Sequence, residues 1–175
     1  FLLLLFSICA NFSSSFIPFY FKEQGFSLAS IILMYAFYAS MGIIFIPFFR
    51  NFSMRNFFIA SFVIFSAALA CLAFLPSSIS IYPYAFLLGL NLSLFWLPLN
   101  YLFFLKSSKA TNGVDSSLYM VAPGIIAMIL PLFGAVVANS YGYTWLFGLA
   151  ALLYLLPILF VYQKIPPEKE PGGIC

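Results

Sequence analysis

Residues 117–162 decide the fold class, and they read SLYMVAPGIIAMILPLFGAVVANSYGYTWLFGLAALLYLLPILFVY. Two apolar runs stand on either side of the turn at 139–142, and neither contains an Asp, Glu, Lys or Arg. A helix needs about 20 mainly apolar residues to cross a bilayer core of about 30 Å. Apolar character on all sides over that length excludes the alternating strands of a membrane barrel. The stretch therefore predicts two membrane-spanning helices joined by a tight turn.

The whole chain has the same character. Of its 175 residues, 65% are hydrophobic and only 6% are charged. Soluble domains are about 25% charged, and disordered chains are polar, so both classes are excluded. The absence of His excludes Ser-His catalysis and His-ligated metals. Cys9, Cys71 and Cys175 form no close pair. We therefore expect no enzymatic activity, no cofactor and no metal site.

Charges and turn residues divide the chain into six apolar runs, which predicts an all-α membrane protein. We expect a six-helix transmembrane domain over residues 1–163 and a cytoplasmic tail, or the start of an inter-domain loop, over 164–175. Ser27 is expected to cap the second run, over 27–49, and Asp115 or Ser116 to cap the fifth run, over 117–138. The chain begins without Met inside an apolar run, which suggests a fragment. The predicted helices 1 to 6 are 1–21, 27–49, 57–75, 81–105, 117–138 and 143–162.

The basic residues predict the orientation, because cytoplasmic loops carry an excess of Lys and Arg. With six spans, Lys22 alone lies on one side. Both termini are therefore predicted to be cytoplasmic, in the plasma or inner membrane. The basic residues of the cytoplasmic side are Arg50, Arg55, Lys106, Lys109, Lys164 and Lys169.

Polar residues recur on one face of several predicted helices, at spacings of three and four. We interpret these stripes as the lining of a polar cavity. The six runs contain no Asp, Glu, Lys or Arg, and such intramembrane charges are the usual mark of ion pathways. Small and polar residues also bind helices to each other, which is the alternative for the Ser and Gly positions. The predicted cavity-lining residues are Asn11, Ser14, Tyr35, Tyr38, Trp96 and Asn100.

Helix 5 carries a ridge of small residues that includes Gly124, Pro131 and Gly134. Ridges of this kind allow two helices to approach closely, so we expect helix packing there. An internal repeat is also indicated, because Phe16-Ile17-Pro18 in helix 1 is similar to Trp96-Leu97-Pro98 in helix 4. Helices 1–3 and 4–6 would then form two inverted three-helix repeats, which are typical of transporters.

This layout resembles the N-terminal half of a major facilitator superfamily transporter. The family's motif between helices 2 and 3, G-x-x-x-D-R-x-G-R-R, falls on residues 50–55, where Arg55 matches a basic position and Arg50 occupies the acidic one. Its helix 5 motif, G-P-x-x-G-G, falls on residues 130–135, where Pro131 and Gly134 match. The resemblance gives Arg50, Arg55, Pro131 and Gly134 roles in packing or conformational change, and the small-residue ridge gives Gly124 a role in packing.

The resemblance implies secondary active or facilitative transport of a small solute by alternating access. Helices 1 and 4 would line the cavity, and helices 3 and 6 would face lipid. The implied partners are the solute, the bilayer and a missing C-terminal six-helix half, with no nucleic acid. The alternative is a complete six-helix membrane protein with a binding or structural role, or a transporter subunit.

Overall fold

The computed structural model of the chain describes residues 2–49, 53–106 and 112–165, and all regular structure in these ranges is helical. Predicted helices 1 to 6 are all present there, so the all-α membrane fold is confirmed. Their observed bounds are Leu2–Glu23, Leu28–Ile44, Met54–Phe74, Ser77–Lys106, Asn112–Tyr141 and Tyr143–Lys164.

Helix 2 is the shortest of the six. The other five are long and apolar enough to cross a membrane by length and composition, whereas helix 2 has 17 residues. It continues through Phe45 into the 3₁₀ turn Ile46–Phe49. Pro47 explains the change, because proline has no N–H to donate and restricts the residue before it. Helix 2 and its 3₁₀ turn together cover the predicted range.

Prolines interrupt helices 1 and 6 but leave helices 4 and 5 continuous. Helix 1 changes to a 3₁₀ turn at Ser14–Phe16, just before Pro18. Helix 6 breaks between Leu153 and Leu156, just before Pro157. In each case the proline lacks the N–H that would bond to the preceding turn. The prolines inside helices 4 and 5 are Pro83, Pro98, Pro123 and Pro131.

Two helix starts differ from the sequence prediction. Helix 4 begins at Ser77 because the carbonyl of Pro76 accepts hydrogen bonds from the backbone N–H groups of Ile79 and Ser80, at 3.0 and 2.9 Å. Helix 5 begins at Asn112. Asp115 and Ser116 are the fourth and fifth residues of this helix, so their prediction as N-caps was wrong.

The predicted cap of helix 2 is confirmed. The Ser27 hydroxyl accepts a hydrogen bond from the backbone N–H of Ser30 at 3.1 Å. This bond satisfies one of the N–H groups that the first helical turn leaves without an intrahelical partner.

The helices pack in an order that agrees with two related triplets. Helix 3 lies against helices 4 and 6, helix 2 lies against helix 4, and helix 5 lies against helix 1. The second helix of each triplet therefore packs on the first helix of the other triplet. Such an exchange is what two inverted three-helix repeats produce.

Aromatic rings fill the centre of the bundle between helices 1, 3, 4 and 6. Phe6 stacks on Phe95 with 3.8 Å between ring centroids, and Phe65 stacks on Tyr154 with 4.2 Å. All four side chains are buried. Helices in lipid associate through close packing rather than the hydrophobic effect, and stacked or edge-on rings give large contact areas. This core supports helices 1 and 4 at the depth of the cavity described next.

Candidate functional site

A cavity of about 210 Å³ lies between helices 1, 2 and 4, and Phe65 of helix 3 contributes to its wall. Half of the lining residues are aromatic, and every one is uncharged within the described part of the chain. The lining residues are Phe6, Ala10, Ser14, Ile17, Tyr35, Tyr38, Phe65, Tyr84, Leu88, Asn91, Leu92 and Trp96.

Helical periodicity explains why these side chains meet. On helix 1 the lining residues 6, 10, 14 and 17 are three or four positions apart, and Tyr35 and Tyr38 on helix 2 are three apart. On helix 4 the lining face runs from Tyr84 through Asn91 to Trp96. Residues at these spacings share one face of a helix. The cavity is therefore built from one face of each of three helices.

Asn91 supplies the amide group of the cavity lining and is buried, with 2% of its surface exposed. Its Nδ2 donates to the backbone carbonyl and to the hydroxyl of Ser61, both at 2.8 Å. These bonds hold the amide against helix 3. Its Oδ1 has no hydrogen-bond partner within residues 2–49, 53–106 and 112–165. Asn91 therefore offers an acceptor at the cavity wall.

Four aromatic side chains offer further hydrogen-bonding groups. Tyr35, Tyr38, Tyr84 and Trp96 line the cavity, and their hydroxyl and indole groups make no hydrogen bond to the described residues. The rings of Tyr35 and Tyr38 meet edge to face, with centroids 6.3 Å apart. Aromatic residues of this type combine an apolar body with a polar tip. The site can therefore contact the apolar face of a ligand and form hydrogen bonds with the polar groups of the same ligand.

Close contact between helices 2 and 4 positions the tyrosines of helix 2. A Cβ added at Gly89 would lie 2.5 Å from Met41 Cβ and 2.7 Å from the carbonyl oxygen of Tyr38. The Ser93 hydroxyl donates to the carbonyl of Gly42. Small residues permit such an approach between membrane helices. Gly89 and Ser93 thus face helix 2 rather than the cavity.

Four of the six predicted cavity residues meet at this site, namely Ser14, Tyr35, Tyr38 and Trp96. Asn11 and Asn100 are not among the lining residues. Asn11 donates from Nδ2 to the carbonyl of Ser7, one turn back on its own helix, at 2.9 Å. Asn100 is exposed, and its Oδ1 accepts a hydrogen bond of 2.9 Å from the Tyr119 hydroxyl on helix 5.

Tyr84 and Asn91 belong to the site but were absent from the predicted set. A signal was present, because the two residues are seven positions apart and therefore lie two turns apart on one helical face. The residues selected from the sequence of helix 4 were instead Trp96 and Asn100, which are four positions apart. Only Trp96 belongs to both faces.

The predicted packing residues have different surroundings. A Cβ at Gly134 would collide with the backbone carbonyl of Phe12, whereas one at Gly124 would meet no atom within 4 Å among the described residues. Pro131 is half-buried. The Arg55 guanidinium lies 4.8 Å from the ring centroid of Tyr162 on helix 6. Arg50 lies outside the described residues.

Potential metal ligands do not cluster in the described ranges, where no group of three or more His, Cys, Asp or Glu side chains occurs. The cavity therefore has the chemistry of a binding site made from aromatic rings, hydroxyl groups and one amide.

One comparison with known proteins gave a match. The family model of the Major Facilitator Superfamily matches residues 1–173. Neither the curated proteins nor the solved structures yielded a match.

Proposed function

Because the chain belongs to the Major Facilitator Superfamily, whose members are membrane transporters, we propose that it forms the N-terminal half of a carrier for a small solute. The carrier would work by alternating access, either as a secondary active or as a facilitative transporter. The observation that carries this proposal is the cavity between helices 1, 2 and 4. Its lining residues from the predicted set, Ser14, Tyr35, Tyr38 and Trp96, would contact the solute, together with Tyr84 and Asn91.

A second six-helix half would close the open side of the site. The cavity of about 210 Å³ is smaller than most ligand pockets, which measure about 300–1,000 Å³, and a facing half would enlarge the enclosed space. Helix 5 supports the same idea. Only 6% of its apolar window is buried, against 39–50% for the other four long helices. The second half would pack on this helix and on the exposed face of helix 2.

Counterflow tests transport by alternating access. The full-length protein is reconstituted into liposomes that are loaded with an unlabelled solute, and labelled solute is added outside. A carrier is expected to accumulate the label transiently above its external level, because the unlabelled solute inside competes for the inward-facing site and slows the exit of the label. A channel gives no such overshoot. A six-helix binding or structural protein, the alternative function, would leave the liposomes at the level of protein-free controls.

The two ends of helix 5 offer a test of the proposed orientation, with both termini in the cytoplasm. Ser116 and Ser140 lie at opposite ends of this helix, and both are exposed. In a full-length protein without native cysteines, Ser140→Cys should react with an impermeant maleimide on intact cells. Ser116→Cys should react only after the cells are permeabilised. Labelling in the reverse order would show that the termini lie outside.

A further inference from the structure

The cavity that the proposed function assigns to the solute also restricts the solute's chemistry. We propose that its occupant is an uncharged molecule whose ring has an apolar face and whose edge carries hydroxyl or amide groups. Sugars and nucleosides have this chemistry. The inference rests on the proposed transport function and specifies the substrate class of the same site.

The first argument is charge. Among the residues that the structure describes, the charged side chains with known surroundings lie at helix ends and outside the cavity. They are Lys22 and Glu23 at the end of helix 1, Arg55 at the start of helix 3, and Lys164 at the end of helix 6. Glu23 accepts a hydrogen bond from Tyr143, and Arg55 lies over Tyr162. A charged solute in the cavity would thus lose its hydration without gaining a counter-charge from this half.

The aromatic rings do not reverse this conclusion for a cation. Rings attract cations through the negative charge of their faces. The attraction to a ring is smaller than the free-energy cost of removing an ion from water, so the rings alone do not replace a counter-charge. The lining contains no carboxylate among the described residues. Contact between these rings and the apolar face of a neutral ring carries no such cost, because no charged group has to leave water.

The second argument is hydrogen bonding. The Oδ1 of Asn91 is an acceptor, the indole N–H of Trp96 is a donor, and the hydroxyls of Tyr35, Tyr38 and Tyr84 can act as either. These groups are unpaired in the described part of the chain. A hydrocarbon solute would displace water and leave them without partners, at a cost in affinity. A solute that carries both donors and acceptors satisfies them.

Matched probes test the inference with the full-length protein in liposomes. Counterflow is measured for uridine and glucose, for their anionic counterparts uridine monophosphate and gluconate, and for the cation choline. We expect counterflow of uridine or glucose, at least about tenfold faster than that of any charged probe. Preferred transport of a charged probe would overturn the inference and leave the transport function intact. Absence of counterflow for all five probes would overturn the inferred substrate class and leave the transport function to be decided by counterflow of other solutes.

A pair of tyrosines on helix 4 tests the hydrogen-bonding argument. Tyr84 is 1% exposed and lines the cavity, whereas Tyr82 is 72% exposed and lies outside the lining. Tyr84→Phe removes only the hydroxyl and should lower kcat/KM for the transported probe about three- to tenfold. Tyr82→Phe should leave it unchanged. Equal values for the two variants, both eluting as monodisperse protein, would overturn the inferred role of the cavity hydroxyls.

Discussion

Replacing Gly134 by alanine is expected to destabilise the protein, whereas the same replacement at Gly124 is expected to leave it as stable or slightly more stable. The new Cβ at position 134 would collide with the carbonyl of Phe12 and lie 2.7 Å from a ring carbon of Phe16. A backbone carbonyl inside helix 1 cannot move without moving the helix. Overpacking of this kind costs about 1–3 kcal/mol.

Gly124 provides the matched control on the same helix. No described atom lies within 4 Å of its added Cβ, and alanine is the better helix former by up to about 1 kcal/mol. Apparent melting temperatures in a mild detergent, taken at one scan rate, give the comparison. Gly134→Ala should melt about 2–10 °C below the wild type. Equal melting temperatures for the two variants would show that helices 1 and 5 do not meet at Gly134.

Replacing Trp96 by alanine is expected to reduce kcat/KM for transport by about ten- to a hundredfold. Trp96 lines the cavity, and its ring lies edge-on to Phe6 and Phe95, with centroid distances of 6.3 and 5.6 Å. Alanine removes both the ring surface and the indole N–H donor. Trp96→Phe keeps a ring and should recover part of the loss.

The second tryptophan of the chain is the control for this prediction. Trp145 on helix 6 is 67% exposed and lies outside the cavity lining. Counterflow by Trp145→Ala protein, normalised to the amount of monodisperse protein in the liposomes, should match the wild type within about twofold, since surface substitutions usually have small effects. A similar loss in both variants would indicate a general folding defect. Wild-type transport by Trp96→Ala would show that the solute does not use this cavity.

The membrane class and the order of the six helices followed from the sequence because they depend on local properties. Each run had to satisfy its own backbone hydrogen bonds in lipid, which leaves only helices for apolar segments of this length. Local chemistry also predicted the cap at Ser27. The start of helix 5 was harder to predict, because Asn112, Gly113 and Asp115 favour turns, whereas the structure places all three inside the first helical turn.

The effect of each proline could not be read from the sequence. Pro18 and Pro157 interrupt their helices, while Pro98 and Pro131 lie within continuous ones. All four lose the same backbone hydrogen bond. Whether the helix breaks there depends on the neighbours that can support or restrain the freed backbone groups, and those neighbours come from other helices.

Sequence alone determined that this chain is a helical membrane protein with small polar groups inside an uncharged bundle, because hydropathy and charge are properties of each segment. Tertiary structure alone decided which face of helix 4 meets the cavity. Helix 4 carries polar side chains on two different faces, one through Asn91 and one through Asn100, so its periodicity alone does not choose between two rotations. The contact of Gly89 with helix 2 and the bond from Ser93 to Gly42 set that rotation. They turn Tyr84, Asn91 and Trp96 into the cavity and leave Asn100 outside its lining.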